Sequence, residues 1–112
     1  MNISIKLTSQ PKTKPDEKKL SFGKQFTDHM FLMNYSEDKG WHDARIVPYG
    51  PLSIDPSTNV LHYGQGVFEG LKAYRTKENK VLLFRPDENA KRLRSSCERL
   101  CIPPIEETDV VE

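Results

Sequence analysis

Apolar and polar positions along residues 29–48 follow the pattern of a β-hairpin. Residues 29–35 (HMFLMNY) have the apolar density of a buried or half-buried strand. Residues 36–40 (SEDKG) are turn formers, and residues 41–48 (WHDARIVP) can return as the antiparallel partner. Gly40 stands where such a turn needs a positive φ. The pattern therefore predicts a first hairpin over 29–48.

A second, shorter hairpin is predicted further along the chain. Residues 71–75 (LKAYR) alternate apolar and polar side chains, as a strand with one buried face does. Residues 76–80 (TKENK) form a polar turn, and residues 81–84 (VLLF) are wholly apolar. Between the hairpins, residues 48–59 contain three prolines and a glycine and predict a loop. Ser57, Thr58 or Asn59 could cap a short helix through 64–68, which its glycines would weaken.

A helix is predicted to begin at residues 85–88 (RPDE). Proline suits a first helical turn because its missing N–H would have no partner there, and the two acids favour the positive end of the helix dipole. Apolar side chains then recur at helical spacing, at Ala90, Leu93, Cys97 and Leu100. Residues 102–104 (IPP) end the helix. Residues 105–112 (IEETDVVE) indicate the start of another helix, with Thr108 as a candidate cap, so the chain looks truncated at its C-terminal end.

Length and charge narrow the class of protein. A chain of 112 residues forms at most one domain, and no stretch is apolar enough for a membrane span or a signal peptide. The formal net charge of +1 gives no general case for binding nucleic acid. Residues 1–24 are nevertheless basic, with six lysines against two acids. We interpret residues 1–21 as a solvated, poorly ordered leader; a nucleic-acid-binding arm is the alternative.

The two cysteines, Cys97 and Cys101, have neither a disulfide framework nor a second pair of zinc ligands around them. Without an export signal they are expected to be reduced thiols in a cytoplasmic protein. His29 and His42 are thirteen residues apart, and the sequence does not show whether their side chains lie on the same face of the predicted sheet. No metal site is therefore expected.

Arg92 is the first candidate for a binding site. Ser96 and Arg99 share its helical face, and Ser95 flanks it. A guanidinium beside hydroxyl groups can hold a phosphate, because arginine presents a planar fork of donors. A solvated basic face is the other interpretation.

The glycine-rich tract 61–70 (LHYGQGVFEG) is the second candidate. Three glycines in seven residues indicate backbone close to another group, although the strand-then-helix context of a dinucleotide motif is missing. Tyr63 and Phe68 could line an apolar pocket or be core aromatics. His62 could be an acid–base group or a hydrogen-bonded structural imidazole.

Three motifs together resemble a known family. Residues 26–31 (FTDHMF), 61–75 (LHYGQGVFEGLKAYR) and 83–100 (LFRPDENAKRLRSSCERL) resemble, in order and separation, the amino-terminal part of branched-chain amino acid aminotransferases. These are fold-type IV pyridoxal phosphate enzymes, a group that includes the D-amino acid aminotransferases. The resemblance runs from about Phe22 to Glu112. The tract 61–75 favours the branched-chain type over the D-amino acid aminotransferases and over the lyase that makes 4-aminobenzoate.

The resemblance implies roles for four residues. Arg92 matches the arginine that binds the phosphate of the cofactor, pyridoxal 5′-phosphate. Phe68 matches an aromatic residue that packs against the aliphatic substrate side chain. Tyr63 matches a residue that reaches across a homodimer interface into the pocket of the partner. Gly70 matches a glycine whose backbone lies near the substrate.

The resemblance also implies an architecture and an activity. Residues 22–112 would be the small α+β domain of a fold-type IV enzyme, with antiparallel hairpins and a packed helix, and the large cofactor domain would be absent. The activity would be transfer of the amino group of Leu, Ile or Val to 2-oxoglutarate in amino-acid biosynthesis. The lysine that holds the cofactor as a Schiff base has no counterpart in the matched motifs. We therefore assign no catalytic residue and expect an isolated 112-residue chain to be inactive. A catalytically inactive dimerisation or interaction module is the alternative.

Overall fold

The computed structural model describes residues 1–112, with the exception of the side chain of Glu17. Two compact units form, Met1–Ser53 and Ile54–Glu112. The elements are, in chain order, β1 (Ser4–Ile5), a 3₁₀ turn (Glu17–Lys19), β2 (His29–Ser36), β3 (Gly40–Pro48), α1 (Asn59–Tyr63), β4 (Ala73–Arg75), β5 (Val81–Leu83), α2 (Pro86–Arg99) and α3 (Glu107–Val111). This mixture of small sheets and helices confirms the general architecture that was predicted, whereas the fold-type IV assignment stays a prediction.

The first hairpin organises the unit Met1–Ser53. Strands β2 and β3 pair antiparallel, from Ser36 opposite Gly40 to His29 opposite Pro48. Gly40 has φ +65°, which is the left-handed conformation that the turn requires. The predicted hairpin is therefore confirmed, and each strand is one residue longer than expected.

A parallel strand that the sequence did not predict joins this sheet. β1 pairs with β3, with Ser4 opposite Arg45, and the strand order is β1-β3-β2. The amide of Thr8 donates a 2.9 Å hydrogen bond to Nε2 of His29. These contacts attach the beginning of the segment 1–21 to the sheet, while the poor order of that segment in solution stays a prediction.

The second hairpin lies in the unit Ile54–Glu112. β4 and β5 pair antiparallel, with Tyr74 opposite Leu82, and the amide of Thr76 donates to the carbonyl of Lys80 across the turn at 2.8 Å. The prediction of a hairpin is confirmed, although its strands are shorter than expected. All six strand residues are exposed.

The short helix predicted to follow a cap at 57–59 begins there, but its predicted extension through 64–68 is wrong. Helix α1 spans Asn59–Tyr63 and ends at Gly64, whose φ of +61° is the left-handed conformation that terminates helices. Thr58 occupies the cap position but does not cap with its side chain; its hydroxyl donates to the carbonyl of Asp55 at 2.6 Å. Gly64 therefore ends the helix before the residues 64–68 that the prediction included in it.

Helix α2 begins as predicted, with Pro86 in its first turn. Ala90 and Cys97 are buried at 1% and 2% exposure, whereas Leu100 lies beyond the last helical residue and is 41% exposed. Leu100 is therefore not part of the buried stripe that was predicted. The following helix, α3, begins at Glu107, with Glu106 rather than Thr108 in the cap position.

Few apolar side chains are buried. Of the residues whose exposure is described, three are buried: Ala44, Ala90 and Cys97. Large exposed apolar side chains include Tyr63, Phe68, Tyr74 and Phe84. Among the described residues, no helix has both the length and the apolar character that crossing a lipid bilayer requires.

Candidate functional site

Arg92 forms a two-point ion pair with Glu69. Helix α2 presents the arginine, and Glu69 lies in the irregular segment between α1 and β4. Nε of Arg92 donates to Oε1 of Glu69 at 2.5 Å, and Nη2 donates to Oε2 at 2.6 Å. The Arg92 side chain is 66% exposed, whereas that of Glu69 is 15% exposed. The carboxylate therefore holds an otherwise solvated guanidinium from one side.

Asn89 fastens the same segment to the helix. It lies three residues before Arg92 on α2, so the two side chains share a face. Its Nδ2 donates to Oε2 of Glu69 at 2.9 Å and to the carbonyl of Gly70 at 2.9 Å. The structure thus brings together Arg92 and the segment that contains Phe68 and Gly70.

The contacts of Glu69 make its carboxyl group unusually acidic. Hydrogen bonds from Arg92, then from Asn89, lower the pKa of Glu69 from 4.5 to about 2. The hydrogen bonds to Glu69 and its negative charge in turn raise the pKa of Arg92 above its ordinary value. Both partners are therefore ionised throughout the range in which proteins normally work.

Ser96, which was predicted to share a phosphate-binding face with Arg92, points back to the helix. Its Oγ donates to the backbone carbonyl of Arg92 at 3.0 Å, which is the common use of a serine hydroxyl within a helix. The guanidinium of arginine has five N–H donors, and Glu69 engages two of them. Three donors are left for an anion, so Arg92 fits a phosphate group, such as that of the implied cofactor, in donor number.

Tyr63 and Phe68 are strongly exposed. Tyr63 is 84% exposed and Phe68 is 91% exposed, so the interpretation of these residues as core aromatics is wrong for this chain. Gly70 has no other group within 4 Å of the position where a Cβ would stand. Gly66 does show a close approach, because a Cβ there would lie 3.3 Å from Cγ2 of Val60. The tract therefore presents two aromatic rings and accessible backbone at its surface.

His62 has a structural contact in this tract. One ring nitrogen, Nε2, lies 2.7 Å from the backbone carbonyl of Pro56, so the imidazole ties α1 to the preceding loop. This supports the structural interpretation. Nearby, Asp55 accepts hydrogen bonds from the amide and the hydroxyl of Ser57, which lower the pKa of its carboxyl group.

The cysteines are free thiols, as the sequence suggested: Cys97 is buried and Cys101 is exposed. Burial raises the pKa of the Cys97 thiol above its ordinary 9.0. Within the described part of the chain, no three His, Cys, Asp or Glu side chains are grouped so that they could hold a metal ion.

Glu69 is the residue of this site that the sequence did not reveal. Its partner, Arg92, is 23 residues away in the chain. No spacing rule for a helix or a strand connects positions so far apart, so only the folded chain shows the pair.

Comparison with known proteins gives strong similarities. The chain is 60% identical over 110 residues, 98% of its length, to branched-chain-amino-acid aminotransferase 2 of Bacillus subtilis. It is 54% identical over 110 residues to a probable branched-chain-amino-acid aminotransferase of Staphylococcus aureus, and 54% identical over 91 residues to the Mycolicibacterium smegmatis enzyme. The chain spans 30%, 30% and 25% of these relatives, respectively. No protein-family model matches it. The resemblance predicted from the motifs is confirmed.

Proposed function

Because the chain resembles branched-chain-amino-acid aminotransferases over nearly its whole length, we propose that it is the cofactor-anchoring and substrate-lining part of such an enzyme. The enzyme would transfer the amino group of Leu, Ile or Val to 2-oxoglutarate and would use pyridoxal 5′-phosphate. The 60% identity over 98% of the chain carries this proposal. The attachment of Arg92 to the segment that bears Phe68 supports it independently.

In this proposal Arg92 anchors the cofactor through its phosphate group. Pyridoxal phosphate supplies the electron sink for amino-group transfer, and the protein supplies binding and orientation. A guanidinium can bind two phosphate oxygens through two parallel N–H bonds, which fixes orientation as well as position. The backbone of Arg92 is fixed in α2, and its guanidinium is fixed by Glu69. The phosphate would therefore be bound at a fixed point relative to Phe68 and Gly70.

The exposed aromatic residues would line the substrate pocket. Phe68 would pack against the branched aliphatic side chain, and the accessible backbone at Gly70 would allow the substrate to approach closely. Tyr63 would reach into the pocket of a second subunit in a homodimer, which agrees with its 84% exposure. The architecture would be the small domain of a fold-type IV enzyme, and the enzyme would serve amino-acid biosynthesis in the cytoplasm.

An Arg92→Ala variant tests the anchor. Pyridoxine 5′-phosphate is a suitable probe because it lacks the aldehyde and cannot link covalently to surface lysines. We expect wild-type chain to bind it more tightly than pyridoxine in isothermal titration calorimetry. Loss of a charge-assisted contact should reduce this preference roughly ten- to hundred-fold in Arg92→Ala.

Arg94→Ala is the matched control, because it removes the same charge from another face of the same helix, where Arg94 pairs with Glu106 and Glu107. We expect this variant to retain the preference for the phosphorylated probe. Equal losses in the two variants would show that general positive charge, and not Arg92, attracts the phosphate.

A second candidate function is a catalytically inactive dimerisation or interaction module built around Tyr63. The exposure of Tyr63 and Phe68 is the observation that favours it. Such a module has no need of a cofactor phosphate. A wild-type chain that binds pyridoxine 5′-phosphate and pyridoxine equally would therefore favour the module over the enzyme.

A further inference from the structure

Glu69 has the contacts of a residue that orients Arg92. We propose that Glu69 is a positioning residue: it holds the Nε–Nη2 edge of the guanidinium so that the adjacent Nη1–Nη2 edge serves as the phosphate-binding edge. This inference rests on the proposed function, in which Arg92 binds the phosphate of the cofactor.

An exposed arginine needs such a partner to keep one orientation. The side chain of Arg92 is 66% exposed, and a solvated arginine has many rotamers available, whose loss costs free energy when it binds. Two hydrogen bonds to the two oxygens of one carboxylate determine the plane of the guanidinium and its rotation within that plane. The arginine is thereby pre-organised before any ligand arrives.

The N–H groups of Arg92 that do not contact Glu69 include two parallel donors. Glu69 accepts hydrogen bonds from the N–H of Nε and from one N–H of Nη2. Of the remaining N–H groups, one on Nη1 and one on Nη2 run parallel along the end of the planar group. Two parallel donors match two oxygens of a phosphate. The pairing with Glu69 therefore selects which edge of Arg92 is available.

Glu69 is itself fixed in place. Its side chain is only 15% exposed, and Oε2 also accepts a hydrogen bond from Asn89. Asn89 uses its other amide hydrogen for the carbonyl of Gly70. Since Asn89 and Arg92 both belong to α2, the contacts close a ring from the helix through Asn89 and Glu69 back to the helix. The hydrogen bonds from Asn89 therefore fix the carboxylate of Glu69 in one position, which a mobile counter-ion on the surface would not have.

Considered by charge alone, Glu69 would weaken the binding of a phosphate group to Arg92. A carboxylate offsets the positive charge of Arg92 and repels a dianionic phosphate. Two explanations therefore predict opposite signs for Glu69→Gln. If Glu69 were a counter-ion only, the variant would bind phosphate more tightly. If Glu69 positions the guanidinium, the variant binds phosphate less tightly, because a glutamine side chain has one oxygen and one NH₂ group and so cannot offer a separate acceptor oxygen to each of Nε and Nη2.

The experiment compares the affinities of pyridoxine 5′-phosphate and pyridoxine for four forms of the 112-residue chain. These are the wild type, Glu69→Gln, Glu69→Asp and Glu88→Gln. Glu88 is the matched control, since it is an exposed carboxylate on α2 that pairs with Lys91 and Arg85. Circular dichroism of each form measures folding separately from binding.

We expect Glu69→Gln to lose roughly ten-fold of the preference for the phosphorylated probe, and Glu88→Gln to keep it. Glu69→Asp keeps the charge but is shorter by one methylene, so it should also lose preference while it remains folded. This second variant keeps the proposal open to refutation if Glu69→Gln does not fold.

Unchanged or tighter phosphate binding in folded Glu69→Gln, or full preference in Glu69→Asp, would overturn the positioning role and leave the Arg92 anchor intact. A wild-type chain without any preference for phosphate would instead overturn the proposed function and, with it, this inference.

Discussion

The acidity of one carboxyl group links the site to the stability of the fold. Glu69 is ionised in the folded chain down to a pKa of about 2, because Arg92 and Asn89 donate to its oxygens. An unfolded chain lacks these donors, and there the group titrates near its ordinary 4.5. Since the folded pKa is the lower one, the contribution of Glu69 to stability is complete above the unfolded pKa and is lost as the pH falls toward 2.

The first prediction at this scale concerns thermal unfolding of the wild type and Glu69→Gln. The wild type should have the higher unfolding temperature at pH 7, and the difference should shrink as the pH is lowered from 4.5 to 2. Circular dichroism at several pH values measures it. Glu88→Gln, which removes an exposed pair, should change the unfolding temperature little. A difference between wild type and Glu69→Gln that is constant over this pH range would contradict the ion pair.

Arg92 and Glu69 also differ in how far the sequence could identify them. Arg92 was identified from its motif and from the hydroxyl groups at helical spacing. Glu69 was not, because its partners Asn89 and Arg92 are 20 and 23 residues away. Local spacing carries information about neighbours on one element, and not about contacts between elements.

Among the secondary-structure elements, the strands of the first hairpin were predicted most accurately, from the residues of their turn. The strands were predicted almost to the residue, because a glycine at the turn and apolar residues on both sides restrict the pairing. The irregularity between Leu32 and Asn34 was not predicted. There Asp43 adopts φ +56°, and its carbonyl and carboxylate accept hydrogen bonds from Arg45. A bulge of this kind depends on side-chain contacts that no alternation pattern records.

A Gly40→Ala variant tests the turn. Gly40 has φ +65° and open space where a Cβ would stand, so the cost of alanine is backbone strain and not a clash. We expect a loss of roughly 1 kcal/mol in the free energy of unfolding, measured by urea denaturation.

Gly50→Ala is the control for this prediction. It also has open space around a Cβ, but it lacks the positive φ, so alanine should be neutral or slightly stabilising. Equal effects at the two positions would show that the conformation of Gly40 is not what the turn depends on.

At the scale of the whole molecule, the amount of exposed apolar surface stands out. Three residues are buried among those described, while many large apolar side chains are more than 40% exposed, among them Tyr63, Phe68, Leu82 and Phe84. Soluble monomers rarely leave contiguous apolar patches of large area in water. Each unit therefore presents surface that is expected to be covered by other protein.

We predict that the isolated chain associates with itself. Sedimentation velocity should show an apparent mass that increases with concentration, because association removes apolar surface from water. A Tyr63→Ser, Phe68→Ser double variant should associate less, and Thr13→Ser, which replaces an exposed residue of the other unit by a similar one, should not differ from wild type. A monomer whose sedimentation is independent of concentration would refute this prediction.

The sequence by itself determined both hairpins, the proline-initiated helix α2, the free thiols and the resemblance to branched-chain aminotransferases. These depend on turn residues, on periodicity and on motifs, which are all properties of neighbouring positions. Only the tertiary structure decided that β1 pairs with β3 and that Glu69 holds Arg92. Such contacts join segments that are distant in the chain, and they form only when packing brings those segments to hydrogen-bonding distance.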